Sequence, residues 1–135
     1  MPQKRRKRLI PSLFGDVPIR AINDALKLEL DPGQAVMSVN AQRHAQKRHP
    51  KEFARCFPHV AAIIGNPLYV RDDYRNDGKI ELVGRPIALG EYLLVAVEIS
   101  LDVDGRYNVT SFYPISEQKV ERRRDAGTLK RLRLI

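Results

Sequence analysis

At 135 residues the chain has room for one hydrophobic core and not for a second domain of ordinary size. Its 24 Lys and Arg against 16 Asp and Glu leave a net charge of +8, which points to an acidic partner, and no apolar run approaches the roughly 18 residues a membrane-spanning helix requires. The single cysteine, Cys56, excludes an internal disulfide and a cysteine-built zinc site, and reads as a small buried hydrophobe.

The charge is unevenly placed. Residues 1–8 carry five positive charges and no negative ones, residues 43–55 five against one, and residues 117–135 seven against three, whereas residues 60–116 are mildly acidic. This layout suits a polyanion gripped by basic flanks around a neutral scaffold, since phosphate contacts supply most sequence-independent affinity for nucleic acid. The plainer alternative is a set of solvated charge runs. "MPQKRRKRL" has the charge that opens a signal peptide, but "LIPSLFGDVPIRA" places two prolines, an Asp and an Arg where the apolar stretch belongs. The expectation is a basic flexible arm over 1–15, a single domain over 16–127 and a basic tail over 128–135, in a cytoplasmic protein or one delivered into a target cell's cytoplasm by another system.

In chain order, "IRAINDALKLEL" spaces Ile19, Ile22, Leu26 and Leu30 near the helical period. "DPGQ" predicts a turn, with Pro32 at its second position and Gly33 at a positive φ, and "AVMSV" a short strand. Ser38 or Asn40 caps a helix through "AQRHAQKR" that stops near His49, because the residue before a proline avoids the α region. Pro50 then opens "KEFARCF", Pro58 interrupts, and "HVAAII" adds about a turn and a half before Gly65 closes it. Beyond this point the period changes from 3.6 to 2: "PLYVRD", "KIELVGRPI", "EYLLVAVEISLD" and "RYNVTSFYPI" read as four strands, the first two joined by the loop "DYRNDG". A basic helix capped by Ser116 follows and breaks at Gly127. The fold class is α+β, with N-terminal helices packed on one face of a roughly four-stranded antiparallel sheet and a C-terminal basic helix.

Asp102 to Gly105 suits a type I turn leading into a bulge. In that register Leu93, Val95 and Val97 share a face with Tyr107, Val109, Ser111 and Tyr113, leaving Glu98 and Ser100 beside Asn108, Thr110 and Phe112. A two-residue Asp104-Gly105 turn would instead place Ser111 and Tyr113 beside Glu98. Apolar matching favours the first.

The chemistry-bearing stretch is "HAQKRHP", residues 44–50. Helical spacing puts His44, Lys47 and Arg48 on one face, while His49 lies about 140° round from His44, so the two meet only if the break at Pro50 turns the chain. That spacing argues against a metal pair, which favours positions four apart with a Glu between; no metal or cofactor is expected. It suits cleavage of RNA by its own 2′-hydroxyl, in which one group removes that proton, another protonates the leaving 5′-oxygen and cations hold the developing charge. Histidine serves as acid or base, and Lys and Arg as fixed cations. The structural alternative has His49 capping the helix through its ring and His44 exposed; His59, beside Pro58, reads as a packing or capping residue. No phosphate-binding glycine loop, Gly-x-Ser-x-Gly, paired cysteine motif or compact helix-turn-helix is present.

"DPGQAVMSVNAQRHAQKRHPKEFARCFPHVAAIIGNPLYV", "YLLVAVEIS" and "GRYNVTSFYPIS" together resemble the phage-associated nuclease-like domains grouped with barnase, EndoU, the colicin tRNases and RelE, often called the BECR fold. The likeness rests on "HP" at a helix break after a basic run, on "NPLYV" leading into strands and on a last hairpin ending "VTSFYPIS", and covers roughly residues 31–127. It implies a helical part on an antiparallel sheet, RNA bound across the sheet, and reacting groups from the helical segment and the last strands. Carried over, the catalytic candidates are His44 and His49 with Lys47 or Arg48 from the helical region, and Thr110 or Ser111 with Tyr113 from the last strand. Tyr107, Tyr113 or Phe112 would stack a base, and Lys119, Arg122, Arg123 and Arg124 would hold the backbone. The expected activity is a metal-independent endoribonuclease of phage, prophage or toxin type acting on tRNA or another structured RNA, with an acidic immunity or antitoxin protein as a further partner and no membrane. The alternatives are a non-enzymatic nucleic-acid binder and a structural or partner-binding phage protein.

Overall fold

The computed structural model describes residues 9–73 and 78–134. Most of the basic arm, residues 1–8, and the centre of the "DYRNDG" loop, residues 74–77, lie outside the described residues. Ser12–Asp16 forms strand β1, followed by helix α1 (Ile19–Leu26), β2 (Gln34–Met37), α2 (Val39–Arg48), α3 (Pro50–Cys56), a 3-10 turn over Phe57–His59 and α4 (Val60–Gly65). Strands β3 (Tyr69–Asp73), β4 (Lys79–Gly84), β5 (Tyr92–Glu98) and β6 (Tyr107–Ile115) come next, then α5 (Glu117–Asp125) and the two-residue β7 (Lys130–Arg131).

The four predicted strands are β3 to β6, and they pair antiparallel in chain order. The sheet is larger than four strands: β2, the short strand expected at "AVMSV", and β1 extend it beyond β6, β7 extends it beyond β3, and the full order is β1-β2-β6-β5-β4-β3-β7. It is also mixed, because β2 runs parallel to β6 through the pairs Ala35 with Tyr107 and Val36 with Asn108. Residues 12–15, expected in the arm, belong to β1, and 130–131, expected in the tail, form β7. A strand of either length carries too little alternation to be read against its neighbours.

Helices α1 to α4 cover one face. Ile19 and Ile22 of α1 and Phe53, Cys56, Val60, Ile63 and Ile64 of the later helices pack on Val70, Ile80, Leu82, Leu93, Val95 and Val97. Cys56 is fully buried there, and burial pushes its thiol above the usual range. The N-terminal helices thus share one face as expected, and the C-terminal helix α5 lies on the opposite one, where Val120 and Leu129 pack on Tyr69, Val83, Leu94 and Ile115. Two apolar anchors in a charged segment suffice because β4 and β5 are apolar toward both faces.

Local chemistry sets the boundaries. Helix α1 ends at Lys27, which adopts the left-handed conformation at φ 58°, and the Asn23 amide then brackets Leu30, donating to its carbonyl at 3.0 Å and accepting from its N–H at 2.9 Å. Of the two proposed caps of α2, Ser38 is the one used, its hydroxyl accepting from Ala41 N at 3.1 Å. Gln42, buried on the same helix, donates to the carbonyls of Met37 and Ile10 and ties β1's approach to α2.

Two glycines depart from expectation. Helix α4 ends at Gly65 without a left-handed residue, and Gly33 keeps a negative φ. Gly33 is required for closeness: a Cβ there would lie 2.9 Å from the Tyr107 ring and 3.0 Å from the Gly105 carbonyl oxygen. Tyr107 is buried and cannot swing away, its hydroxyl donating to the Asp31 carbonyl. Gly33→Ala is therefore expected to cost about 1–3 kcal/mol of stability by overpacking, measured by chemical denaturation.

The last hairpin turns as predicted over Asp102–Gly105, with Gly105 N donating to Asp102 O at 3.0 Å and Gly105 at φ 72°. The Asp102 carboxylate accepts from the N–H groups of Arg106 and Asp104, and the Arg106 N–H above all holds its carboxyl below the usual carboxylate range. Neither predicted register holds along the whole hairpin. Val97 pairs with Val109, but Ala96 pairs with Ser111, Val95 with Phe112 and Leu94 with Tyr113, so Thr110 is an extra residue in β6. The bulge reverses the facing of everything after it: Phe112 joins Val109 on the face of α1 to α4, whereas Ser111 and Tyr113 turn to the face that carries α5.

Candidate active site

Helix α2 stops where Pro50 demands, with His49 at φ −141° and ψ 68°. His49 is the joint between two helices: its N–H donates to Ala45 O at 3.0 Å and its carbonyl accepts from Phe53 N at 2.8 Å. The ring makes no capping hydrogen bond, so the structural alternative for His49 is corrected; His59 likewise supplies no side-chain cap to α4. The turn at this joint brings His49 round to the side of His44.

Strand β6 supplies the facing wall. Its pairing with β2 stops at Asn108, where β2 turns into α2, so from Val109 onward β6 has one strand neighbour among the described residues. Pro114 is tolerated in that unpaired stretch. Helices α2 and α3 stand against it, and between them lies a cleft of about 260 Å³ lined by His44, Arg48, His49 and Glu52 on the helical side and Thr110, Ser111, Phe112 and Tyr113 on the strand side. A larger groove, about 550 Å³, runs between α1 and the C-terminal segment past Arg20, Asp24 and Arg133, but it contains no histidine, cysteine or hydroxyl side chain.

Six of the seven catalytic candidates thus converge on one cleft although they come from distant parts of the chain. Lys47 is the exception: it is exposed and does not line the cleft. Both hydroxyls left open by the sequence line it; Thr110 Oγ1 lies 3.5 Å from the Ala96 carbonyl, a long contact that engages it with β5. Two of the stacking candidates are corrected. Tyr107 is 2% exposed and held by Asp31, and Phe112 is 8% exposed against Phe53 and Phe57, with ring centroids 5.7 and 6.0 Å away. Both face the helices because they precede and follow the bulge in opposite phase.

Tyr113 is 37% exposed and leads from the cleft onto the sheet face that α5 half covers. There Arg71, Glu81, Ala96 and Ser111 form one row straight across four strands. Glu81 is buried; its Oε1 lies 2.6 Å from Arg71 Nη1 and 3.8 Å from Arg123 Nη1, and its Oε2 lies 3.4 Å from the Tyr113 hydroxyl. Of the basic residues of α5, Arg123 is thus turned to the sheet, whereas Lys119, Arg122 and Arg124 are exposed, Arg124 with its guanidinium over the Tyr69 ring at 5.5 Å. Sequence reasoning missed Glu52, Arg71 and Glu81. The signal for Glu81 was a charge flanked by Ile80 and Leu82 in a strand that is otherwise apolar; for Glu52 it was a lone acid in a basic run.

Among the described residues no group of three or more His, Cys, Asp or Glu is placed to hold a metal ion, and no helix is long and apolar enough to cross a membrane. Neither the curated proteins nor the solved structures yield a match. A family model does, over residues 14–122: phage-Barnase-EndoU-ColicinE5/D-RelE like nuclease3. The matched span runs from β1 into α5 and contains every residue that lines the cleft, and the chain belongs to this phage-associated, nuclease-like family.

Proposed function

We propose that the protein is an endoribonuclease that cleaves tRNA or another structured RNA through the ribose 2′-hydroxyl. The observation that carries this reading is the meeting of His44, His49 and Arg48 with the hydroxyls of Thr110 and Ser111 in one cleft, within a chain of nuclease-like family. One histidine takes the 2′-hydroxyl proton as the 2′-oxygen attacks phosphorus; the other gives a proton to the 5′-oxygen as its bond to phosphorus breaks. Arg48 offsets the charge that gathers on the phosphoryl oxygens, and a strand hydroxyl positions the phosphate. This chemistry asks for no metal. Lys47, Lys119 and Arg122 are exposed cations for flanking phosphates. A chain with such activity acts in the cytoplasm of a producing or target cell, and an acidic immunity or antitoxin protein is the partner its charge calls for.

The purified chain mixed with total tRNA in excess chelator is expected to give discrete cuts with 2′,3′-cyclic phosphate and 5′-hydroxyl ends, read on denaturing gels with and without end-specific enzymes. Products with 3′-hydroxyl ends would overturn the mechanism. Salt-sensitive binding with no cuts would make the chain a nucleic-acid binder instead.

A further inference from the structure

Among the described residues two polar side chains are buried, Gln42 and Glu81. Gln42 is accounted for by the two carbonyls it bonds. Glu81 has no such backbone task. A buried carboxylate in the middle of a strand is costly unless it is paired, and an apolar residue would serve packing as well.

Its two oxygens are used differently. Oε1 faces both guanidinium groups, Arg71 Nη1 at 2.6 Å and Arg123 Nη1 at 3.8 Å, which leaves Oε2 for the Tyr113 hydroxyl at 3.4 Å. The cross-strand neighbour of Glu81 on β5 is Ala96, and the partner of Tyr113 is Leu94. A methyl side chain at Ala96 leaves the space over which the Tyr113 ring reaches diagonally from β6 to β4. The phenol therefore lines the cleft while its hydroxyl has an acceptor behind it, Glu81 Oε2, at a long 3.4 Å.

A tyrosine hydroxyl has one proton to donate and lone pairs to accept with. With the proton directed to Glu81, what it offers the cleft is an acceptor. Phosphate oxygens are acceptors too and gain nothing from such a group; the donor that a nucleic acid can present beside its phosphate is the ribose 2′-hydroxyl, the group that tells RNA from DNA. We propose that Glu81, clamped by Arg71 and Arg123, is a positioning residue that turns the Tyr113 oxygen toward the cleft as an acceptor for a ribose 2′-hydroxyl, making this pair the determinant of RNA over DNA. Burial and the Glu81 charge, in that order, raise the Tyr113 phenol above its ordinary range, so it stays protonated and able to donate to the carboxylate. The inference rests on the nucleic-acid reading of the cleft and not on cleavage.

The test is binding in a background with His44→Ala and His49→Ala, so that RNA survives the measurement. Fluorescence anisotropy compares two labelled oligonucleotides of one sequence, all ribose or all 2′-deoxyribose with uracil in both, so that only the hydroxyls differ. The background chain is expected to prefer RNA about 5- to 10-fold, the worth of one hydrogen bond. Tyr113→Phe and Glu81→Gln are each expected to bring the ratio close to one while leaving DNA affinity within twofold. Lys79→Ala, on the neighbouring row of the same face, is expected to weaken both ligands alike and keep the ratio. Equal affinity for the two ligands in the background chain, or a full RNA preference in Tyr113→Phe, would overturn the inference. So would a full preference in folded Glu81→Gln; because Tyr113 is partly exposed, its variant reports even if Glu81→Gln does not fold. An RNA preference in a chain that cuts no RNA leaves the inference standing and removes the nuclease reading. Cleavage by the wild type without an RNA preference in the background does the reverse.

Discussion

Replacing His49 with alanine is expected to slow RNA cleavage by about 10²–10⁴-fold, and replacing His44 to do the same, the range for loss of one general acid or base. Both rings are exposed and neither is a capping group, so stability is expected to move by no more than about 0.5 kcal/mol. The rate loss then cannot be laid to unfolding. Single-turnover cleavage of labelled tRNA, with folding followed by circular dichroism, separates the two. Because acid and base act in one step, the double variant should lose far less than the product of the two single losses. Lys47→Ala, one turn along the same helix but outside the cleft, is expected to keep the chemical rate and to weaken binding slightly at low salt. Folded single variants that cut at the wild-type rate would return "HAQKRHP" to a basic helix end and move the chemistry elsewhere.

Phe112→Ala is expected to be the most destabilising change near the cleft. The ring is 8% exposed and lies within 6.0 Å of the Phe57 centroid and 5.7 Å of the Phe53 centroid, in a cluster that also includes Phe14 against Phe57. Truncation leaves a cavity between β6 and α3, at a cost of about 3–5 kcal/mol. For a domain of this length that lowers the melting temperature by roughly 10–20 °C. Phe112→Leu keeps most of the volume and is expected to cost much less while preserving RNA affinity. An RNA affinity that falls in Phe112→Leu without loss of stability would restore the base-stacking role that burial argues against.

The sites of success and failure in reading the sequence have separate physical causes. Ile19, Ile22 and Leu26 announce α1, the alternation of β3 to β6 announces four antiparallel strands, and Ser38, Pro50, Ser116 and the Asp102–Gly105 turn mark boundaries, because each depends on residues within one or two turns of one another. The bulge at Thr110 was invisible. "RYNVTSFYPI" alternates well enough in either phase, and the choice between phases is made by Phe53 and Phe57, which claim Phe112 for the helical face. Strands β1 and β7 were missed for a related reason: neither buries enough of its own side chains to show a pattern, and each is held by the backbone of its neighbour. The likeness to the BECR group pointed to residues that the fold brings to one cleft, but not to Glu52, nor to Arg71 and Glu81, whose partners lie on other strands.

The α+β class, the break between two helices at His49 and the residue types available for acid, base and charge were legible in composition and near neighbours, while the nuclease-like family rested on the likeness of longer stretches to known domains. That His44 and His49 share a cleft with Ser111 and Tyr113, that Tyr107 and Phe112 are core and that α5 covers the far face of the sheet came from packing between distant segments. The reason is the same in each case. A side chain's facing in a strand reverses with one inserted residue, and its partners across a sheet depend on register, which is set by burial summed over the whole core.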